Sequence, residues 1–196
     1  MGSLAYKKTL HLTPDKHLEQ ELEGTRCIVL IGRSAVSALK LVDKQKVSEL
    51  VQFEFPHCSN DENWSTAVEG LLNSPELNEF VSGSKAEYWI DDFRISIIPS
   101  ALFSDDKKEE AHELLFEPAN GLNYISESAA TSDFQMVSAV PQAICDILPA
   151  EPKNAFALWL ERIENQATGK HHAAILAGQE EFNLPVFTGP ELVFSK

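Results

Sequence analysis

The sequence predicts a mixed α/β fold in which groups of strands alternate with helices. Two observations carry this prediction. Apolar residues recur with a period of two in "KVSELVQFEF" (46–55), which is typical of a strand with one buried face. The period then lengthens in "NDENWSTAVEGLLN" (60–73), where Trp64, Val68 and Leu71 fall on one face of a helix.

Composition limits the functions that the chain can have. It has 196 residues, of which 43% are hydrophobic, and this is enough for one domain or two small lobes. Because 30 acids face 16 bases, the net charge of −14 should repel nucleic acids and anionic membranes. No apolar run approaches the roughly 20 residues that cross a bilayer, and the N-terminus lacks the apolar middle of a signal peptide. We therefore expect a cytoplasmic protein that binds neither nucleic acid nor membranes.

The cysteines indicate neither a metal site nor a disulfide framework. Cys27, Cys58 and Cys145 are odd in number and widely spaced, and no Cys-x-x-Cys pair is present. Reduced, mostly buried thiols are the expected state in a cytoplasmic protein.

The predicted elements follow one another in the order βββ-α-ββ-α-β-α-βββ. Residues 1–24 are polar and form an arm or a short edge segment, and 123–135 is a loop-rich stretch. The segment "KNAFALWLERIEN" (153–165) has the period of an amphipathic helix, with Phe156 and Trp159 in its apolar stripe. The other predicted strands lie at 26–32, 34–43 and 46–55, twice within 85–99, at 135–141 and three times within 171–196.

The first and last groups of strands have similar sequence patterns. When Gly32 is placed on Gly178, the apolar residues before the two glycines coincide. A repeat of strand–strand–strand–helix–strand–helix at this interval is the duplicated ribonuclease-H-like unit of the actin, hexokinase and heat-shock-chaperone class. We predict one such unit with an insertion in residues 25–152. Residues 153–196 then form a linking helix and the first three strands of a second, incomplete copy.

Two segments resemble an uncharacterised bacterial family. "FRISIIPSALFSDDKKEE" (93–110) and "QMVSAVPQAI" (135–144) are similar to segments of the family catalogued as domain of unknown function 3822 (DUF3822). The resemblance covers about residues 25–196 and implies an actin-like fold. It implies no activity, because no function is established for that family. A complete second unit would need a further helix, strand and helix after Lys196, so the chain is expected to stop early.

Gly32 and Gly178 mark the two hairpins that would bind phosphate in this class. In active members each hairpin is roughly Asp-x-Gly, in which the aspartate orders Mg²⁺ and the glycine lets backbone N–H groups approach phosphate oxygens. Here Leu30 and Leu176 stand at the two acidic positions, and leucine cannot coordinate a metal. The glycines are then explained by turn geometry alone.

The two turns also differ in charge. In the first turn, Arg33 and Ser34 can attract an anion, but we expect Arg33 to be an exposed residue at a hairpin tip. In the second turn, Glu180 and Glu181 each disfavour polyphosphate by on the order of 1 kcal/mol in water. The residual cofactor-binding positions are Gly32, Arg33, Ser34 and Gly178.

Two functions remain as alternatives. The missing acids favour a non-catalytic actin-like scaffold that works by binding another protein and holds no cofactor. The alternative is an atypical ATP-binding or ATPase domain that uses Mg²⁺. We identify no catalytic or metal-binding residue, since Asp91-Asp92 and Asp105-Asp106 suit turn formation and helix capping. Residues 171–196 can fold back onto the 153–165 helix, pair with a second copy or stay partly disordered, and we expect a homodimer through them.

Overall fold

The protein is described by a computed structural model. The structure describes residues 6–12, 26–42, 46–92, 94–114, 116, 120–128, 134–156, 171–173, 176–177, 182–188 and 191–195. The chain divides into two compact units. The first comprises Met1–Asp92, Ala119–Asn123 and Val140–Asn154, and the second comprises Phe93–Pro118, Tyr124–Ala139 and Ala155–Lys196.

Strands and helices alternate along the chain. The strands are β1 (Lys7–Leu12), β2 (Arg26–Ile31), β3 (Ala35–Val42), β4 (Lys46–Glu54), β5 (Lys85–Ile90), β6 (Ile95–Pro99), β7 (Leu122–Ser128), β8 (Phe134–Pro141), β9 (Lys153–Asn154), β10 (His171–Ala173), β11 (Leu176–Ala177), β12 (Phe182–Thr188) and β13 (Glu191–Ser195). The helices are α1 (Asp61–Leu72), α2 (Pro75–Val81), α3 (Lys108–Glu113) and α4 (Gln142–Ile147), with 3₁₀ turns at Ser100–Leu102 and Asp105–Lys107.

The first unit is built on a six-stranded sheet in the order β1-β4-β3-β2-β5-β9. Strands β1 to β4 pair antiparallel, and the predicted meander of β2, β3 and β4 is confirmed. Strand β5 returns parallel to β2, and β9 pairs parallel to β5. Because parallel strands end at the same edge of a sheet, the carboxyl ends of β2 and β5 lie side by side.

Alternation in β2 places the core on one face of this sheet. Cys27, Val29 and Ile31 are fully buried, whereas the residues between them are half-buried. Across the sheet, Ile31 pairs with Val36 of β3, which in turn pairs with Phe53 of β4. The same face of these three strands is therefore the buried one.

The helices of the first unit begin where their capping residues predict. The Asn60 side chain accepts a hydrogen bond from the Asn63 N–H at 2.8 Å and starts α1. The Ser74 hydroxyl accepts from Leu77 N–H at 3.3 Å, and Pro75 occupies the first position of α2. Of the helices within the described ranges, none combines the length and the apolar character needed to cross a membrane.

The second unit contains a three-stranded sheet in the order β6-β8-β7. Helix α3 packs on β6 through buried His112, whose Nδ1 lies 3.0 Å from the Ser96 hydroxyl. The His112 ring stacks on Phe116 and meets the edge of Tyr124, with centroids 4.5 Å and 5.5 Å apart. This segment therefore has a small core of its own.

The last strands form the predicted meander. Strand β12 pairs antiparallel with β10, β11 and β13. Its register is fixed by backbone pairs such as His172 with Phe187 and Val186 with Val193. The turn between β11 and β12, which contains Gly178, lies outside the described residues.

Two strands differ from the sequence-based expectation. Residues 123–128 were predicted to be loop-rich, but they lie in β7, where Ile125 is buried. Lys153–Asn154 was predicted to open a helix and instead extends the sheet as β9, because pairing with β5 outweighs local helix propensity. Of the two forms predicted for the polar N-terminal region, residues 7–12 adopt the edge strand. The remainder of the 153–165 helix, with Trp159, lies outside the described ranges.

Candidate functional site at the Gly32 hairpin

The turn between β2 and β3 consists of Gly32, Arg33 and Ser34. The N–H of Gly32 donates to the carbonyl oxygen of Ala35 at 2.9 Å, which closes the hairpin on itself. This backbone donor is therefore already engaged within the turn, and it is the N–H of the glycine that would lie nearest to a phosphate group.

All three carbonyl oxygens of the turn accept hydrogen bonds, one from α1 and two from the segment that leads into it. Trp64 Nε1 donates to the Gly32 carbonyl at 2.8 Å. The N–H groups of Cys58 and Phe55 donate to the carbonyls of Arg33 and Ser34, each at 2.9 Å. The hairpin is thus fixed by α1 and by the chain that precedes it.

The Arg33 guanidinium is held by two carboxylates and an aromatic ring. Its Nη2 lies 2.8 Å from Asp61 Oδ1 and 3.1 Å from Asp92 Oδ2, and its Nη1 donates to the Cys58 carbonyl at 3.2 Å. The guanidinium carbon lies 4.5 Å from the Trp64 ring centroid, a cation–π distance. With 23% of its side chain exposed, Arg33 is not the exposed hairpin-tip residue that we expected, and that expectation is wrong.

The sheet topology brings Asp91 and Asp92 to this hairpin. Ile31 of β2 pairs with Ile90 of β5, and the Asp91 N–H continues the ladder by donating to the Ile31 carbonyl at 2.9 Å. Buried Asn154, at the end of β9, donates its amide to the Asp92 carbonyl at 3.2 Å. The end of β5 therefore supplies two acids to the site, and the ends of β2 and β9 hold their backbone in place.

The Asp91 carboxylate lies directly beside the hairpin glycine. A Cβ placed on Gly32 would be 3.9 Å from Asp91 Oδ2. Burial, and then the neighbouring charge of Asp92, raise the pKa of the Asp91 carboxyl above its ordinary value. None of the described residues gives this carboxylate a hydrogen bond or an ion pair.

Backbone geometry does not require glycine at position 32. Among the described glycines, Gly83 and Gly121 have positive φ angles of 77°, and Gly32 does not. A Cβ on Gly32 would meet the Ala35 carbonyl oxygen at 3.5 Å, an ordinary van der Waals contact. The expectation that turn geometry alone explains this glycine is therefore wrong.

Leu30, at the position of the metal-ordering aspartate, lies on the sheet face opposite to Val29 and Ile31. It is half-buried and pairs with Ser37 on β3 and with Trp89 on β5. Its side chain offers no oxygen to a cation. Leu176, its counterpart in the repeat, lies in β11 and pairs with Asn183.

The structure brings together only some of the predicted site residues. Gly32, Arg33 and Ser34 lie together, whereas Gly178, Glu180 and Glu181 are outside the described residues. The sequence analysis missed Asp61, Trp64 and Asp92 as partners of Arg33. Asp92 had a usable signal, because it follows a strand that could run parallel to β2, and ligands gather where such strands end. Trp64 had none beyond its place on an apolar helix face.

This fold has a counterpart among solved structures. A crystal structure of a Bacteroides thetaiotaomicron protein, described as having an actin-like ATPase fold and unknown function, matches with a TM-score of 0.71. The match covers 87% of this chain and 68% of that chain, at 11% sequence identity. No family model and no curated protein matches the chain. The structural likeness confirms the predicted mixed α/β class, and the chain has an actin-like ATPase fold.

Proposed function

We propose that this protein is a non-catalytic actin-like scaffold that works by binding another protein. The observation that carries the proposal is the double ion pair of Arg33 with Asp61 and Asp92. The cation best placed to attract phosphate at the hairpin is already neutralised within the chain. Its two carboxylate partners and the Trp64 ring surround it on several sides.

The charge balance around the hairpin disfavours a polyphosphate. The hairpin has one guanidinium, on Arg33, beside the carboxylates of Asp61 and Asp92, and a third carboxylate, that of Asp91, lies beside Gly32. Two like charges 4 Å apart repel by about 1 kcal/mol in bulk water and about 4 kcal/mol near a protein surface. A phosphate that approached Gly32 would therefore meet repulsion that the engaged Arg33 does not offset.

The position that orders Mg²⁺ in active members of the class has no metal ligand at this hairpin. A hard dication needs oxygen ligands, and Leu30 supplies none. The Gly32 N–H is committed to the Ala35 carbonyl. We therefore assign no cofactor to the hairpin and no reaction step to its side chains.

An atypical nucleotide-binding domain is the second candidate, and one observation favours it. The N–H groups of Arg33 and Ser34 have no acceptor among the described residues. Gly32 also lacks a side chain without a backbone reason for doing so. These features leave room and two donors for a small anion, but they supply neither a metal ligand nor a free cation.

We also propose membership in the DUF3822 family. The proposal is supported by "FRISIIPSALFSDDKKEE" (93–110), whose proline ends β6 and whose acidic residues lie in the 3₁₀ turn and the start of α3. The structure of a member of that family, solved independently, should show the same strand–proline–helix connection. A different connection between these elements would remove the support.

Calorimetric titration with Mg-ATP separates the two functions. We expect no saturable heat with the wild-type chain and no phosphate release in a hydrolysis assay. An established actin-like ATPase, titrated under the same conditions, provides the positive control. Micromolar affinity in the wild type would overturn the scaffold proposal in favour of the second candidate.

A further inference from the structure

Among the described strands, β1 lies at one edge of the six-stranded sheet. It is paired on one side with β4 and is the terminal strand in the sheet order. All six of its residues are exposed, including Leu10 and Leu12 at 38% and 54%. An edge strand of this kind presents unpaired backbone N–H and C=O groups to a further strand.

The edge is cationic, although the protein is strongly acidic. Strand β1 reads "KKTLHL" and contains no acid, within a chain of net charge −14. A register irregularity between Lys8 and Leu10 brings Lys8 Nζ within 3.2 Å of His11 Nδ1. His11 Nε2 lies 3.1 Å from Glu49 Oε1, so Lys7 and Lys8 form the basic row along the exposed strand.

We propose that β1 is the docking edge for an extended acidic segment of a partner protein, which pairs with it as an additional strand. This inference rests on the proposed scaffold function and names the surface and the chemistry of the partner. Backbone hydrogen bonds along β1 supply the pairing, and alternate side chains of the added strand supply specificity. Glutamate or aspartate on that strand complements Lys7 and Lys8, and apolar residues cover Leu10 and Leu12.

Two other occupants fit the edge less well. A second copy of the chain, pairing β1 with β1, would bring its own Lys7 and Lys8 to this edge, so the added strand would be basic and not acidic. Lysines on an edge also block unwanted pairing, and in that case no strand would dock at all. Both possibilities are outcomes of the experiment below.

The binding test uses three labelled peptides and fluorescence anisotropy with the full chain. The first peptide alternates glutamate and valine, the second replaces each glutamate with lysine, and the third replaces alternate valines of the first with proline. We expect only the first to bind, because the second has the wrong charge and the third lacks backbone donors. Its affinity should fall as salt is raised, since exposed charges are screened. Failure of the first peptide to bind at low salt would overturn the inference and leave the lysines as blockers.

Matched variants locate the interaction on β1. Lys7→Gln/Lys8→Gln should weaken binding of the glutamate peptide about fivefold, the scale of two exposed ion pairs. Lys85→Gln/Lys107→Gln removes the same charge from exposed lysines elsewhere and should leave the affinity unchanged. Equal weakening by both double variants would show that net charge alone attracts the peptide and would overturn the inference.

Hydrogen exchange then identifies the occupied edge. The glutamate peptide should protect alternate amides within residues 7–12, whereas protection confined to other strands would overturn the inference. Protection of 7–12 that grows with protein concentration in the absence of peptide would overturn it in favour of a second copy. Nucleotide binding in the calorimetric experiment would overturn the scaffold function without changing these readouts, so the two failures are distinguishable.

Discussion

The indole Nε1 of Trp64 donates a 2.8 Å hydrogen bond to the carbonyl oxygen of Gly32. This bond joins the first turn of α1 to the hairpin between β2 and β3. The same indole ring lies against the Arg33 guanidinium, with 4.5 Å from the guanidinium carbon to the ring centroid. One fully buried side chain therefore fixes both the backbone of the hairpin and its cation.

Replacing Trp64 tests how much the hairpin depends on this bond. Trp64→Phe should lower the free energy of unfolding by about 1–3 kcal/mol, because the Gly32 carbonyl loses its buried donor. Trp89→Phe is a matched control, since the Nε1 of Trp89 is buried without a hydrogen-bond partner. Urea denaturation should show the smaller loss for Trp89→Phe, and equal losses would mean that the Trp64 bond contributes nothing specific.

Two glycine substitutions test the geometry of the turn. Gly32→Ala should leave stability unchanged or raise it by about 0.4–1 kcal/mol, because its φ suits alanine and the unfolded chain loses entropy. Gly83→Ala should cost roughly 1–2 kcal/mol, because a φ of 77° strains an L-residue. Thermal and urea midpoints measure both. A Gly32→Ala loss as large as that of Gly83→Ala would show that the turn does require glycine.

Asp91 gives the site a predictable pH dependence. Its pKa is raised by burial and then by Asp92, so the folded state holds the proton more tightly than the unfolded chain. The stabilisation that comes from this tighter proton binding is fully present below the pKa of Asp91 in the unfolded chain. It is lost as the pH rises through the pKa of Asp91 in the folded state. Asp91→Asn should therefore raise stability at pH 7, and the gain should vanish below about pH 4.

A control removes the effect of net charge from that comparison. Glu69→Gln neutralises an exposed carboxyl in α1 and should change stability little at either pH. Urea midpoints at the two pH values provide the measurement. A lower free energy of unfolding for Asp91→Asn at pH 7 would contradict this prediction. It would mean that the Asp91 carboxylate has a favourable partner and that its burial does not destabilise the fold.

Sequence periodicity predicts those strands and helices of this fold that bury one face. Strand β4 and helix α1 each bury one side, and their apolar periods are correspondingly clear. Strand β9 has two residues and β1 is exposed throughout, so both owe their form to pairing with a neighbour. The local sequence alone does not predict such pairing.

The partners of Arg33 could not be predicted from the sequence, for a related reason. Asp61 and Asp92 lie 28 and 59 residues from Arg33 along the chain. Only the parallel return of β5 beside β2 brings Asp92 to the hairpin. The sequence pattern singled out Gly32 and Arg33, but the engagement of the guanidinium depends on tertiary register.

The C-terminal meander is predicted to mediate self-association. Strand β13 pairs with β12 alone among the described strands, which leaves its other edge for a second copy related by a twofold axis. Light scattering of the full chain over a range of concentrations should show a dimer, and a chain shortened to Gln166 should remain monomeric. A strictly monomeric full chain with protected amides in 191–195 would contradict self-association.

The affinity for Mg-ATP of the wild type and of Asp61→Asn/Asp92→Asn, measured side by side by calorimetry, tests the central claim most directly. That claim is that Arg33 is committed to Asp61 and Asp92 and is withheld from phosphate. We predict no saturable binding by the wild type and weak, measurable binding by the double variant, in which the guanidinium is released and two repulsive charges are gone. Micromolar binding by the wild type that Arg33→Gln abolishes would contradict the claim, because it would place Arg33 on the nucleotide.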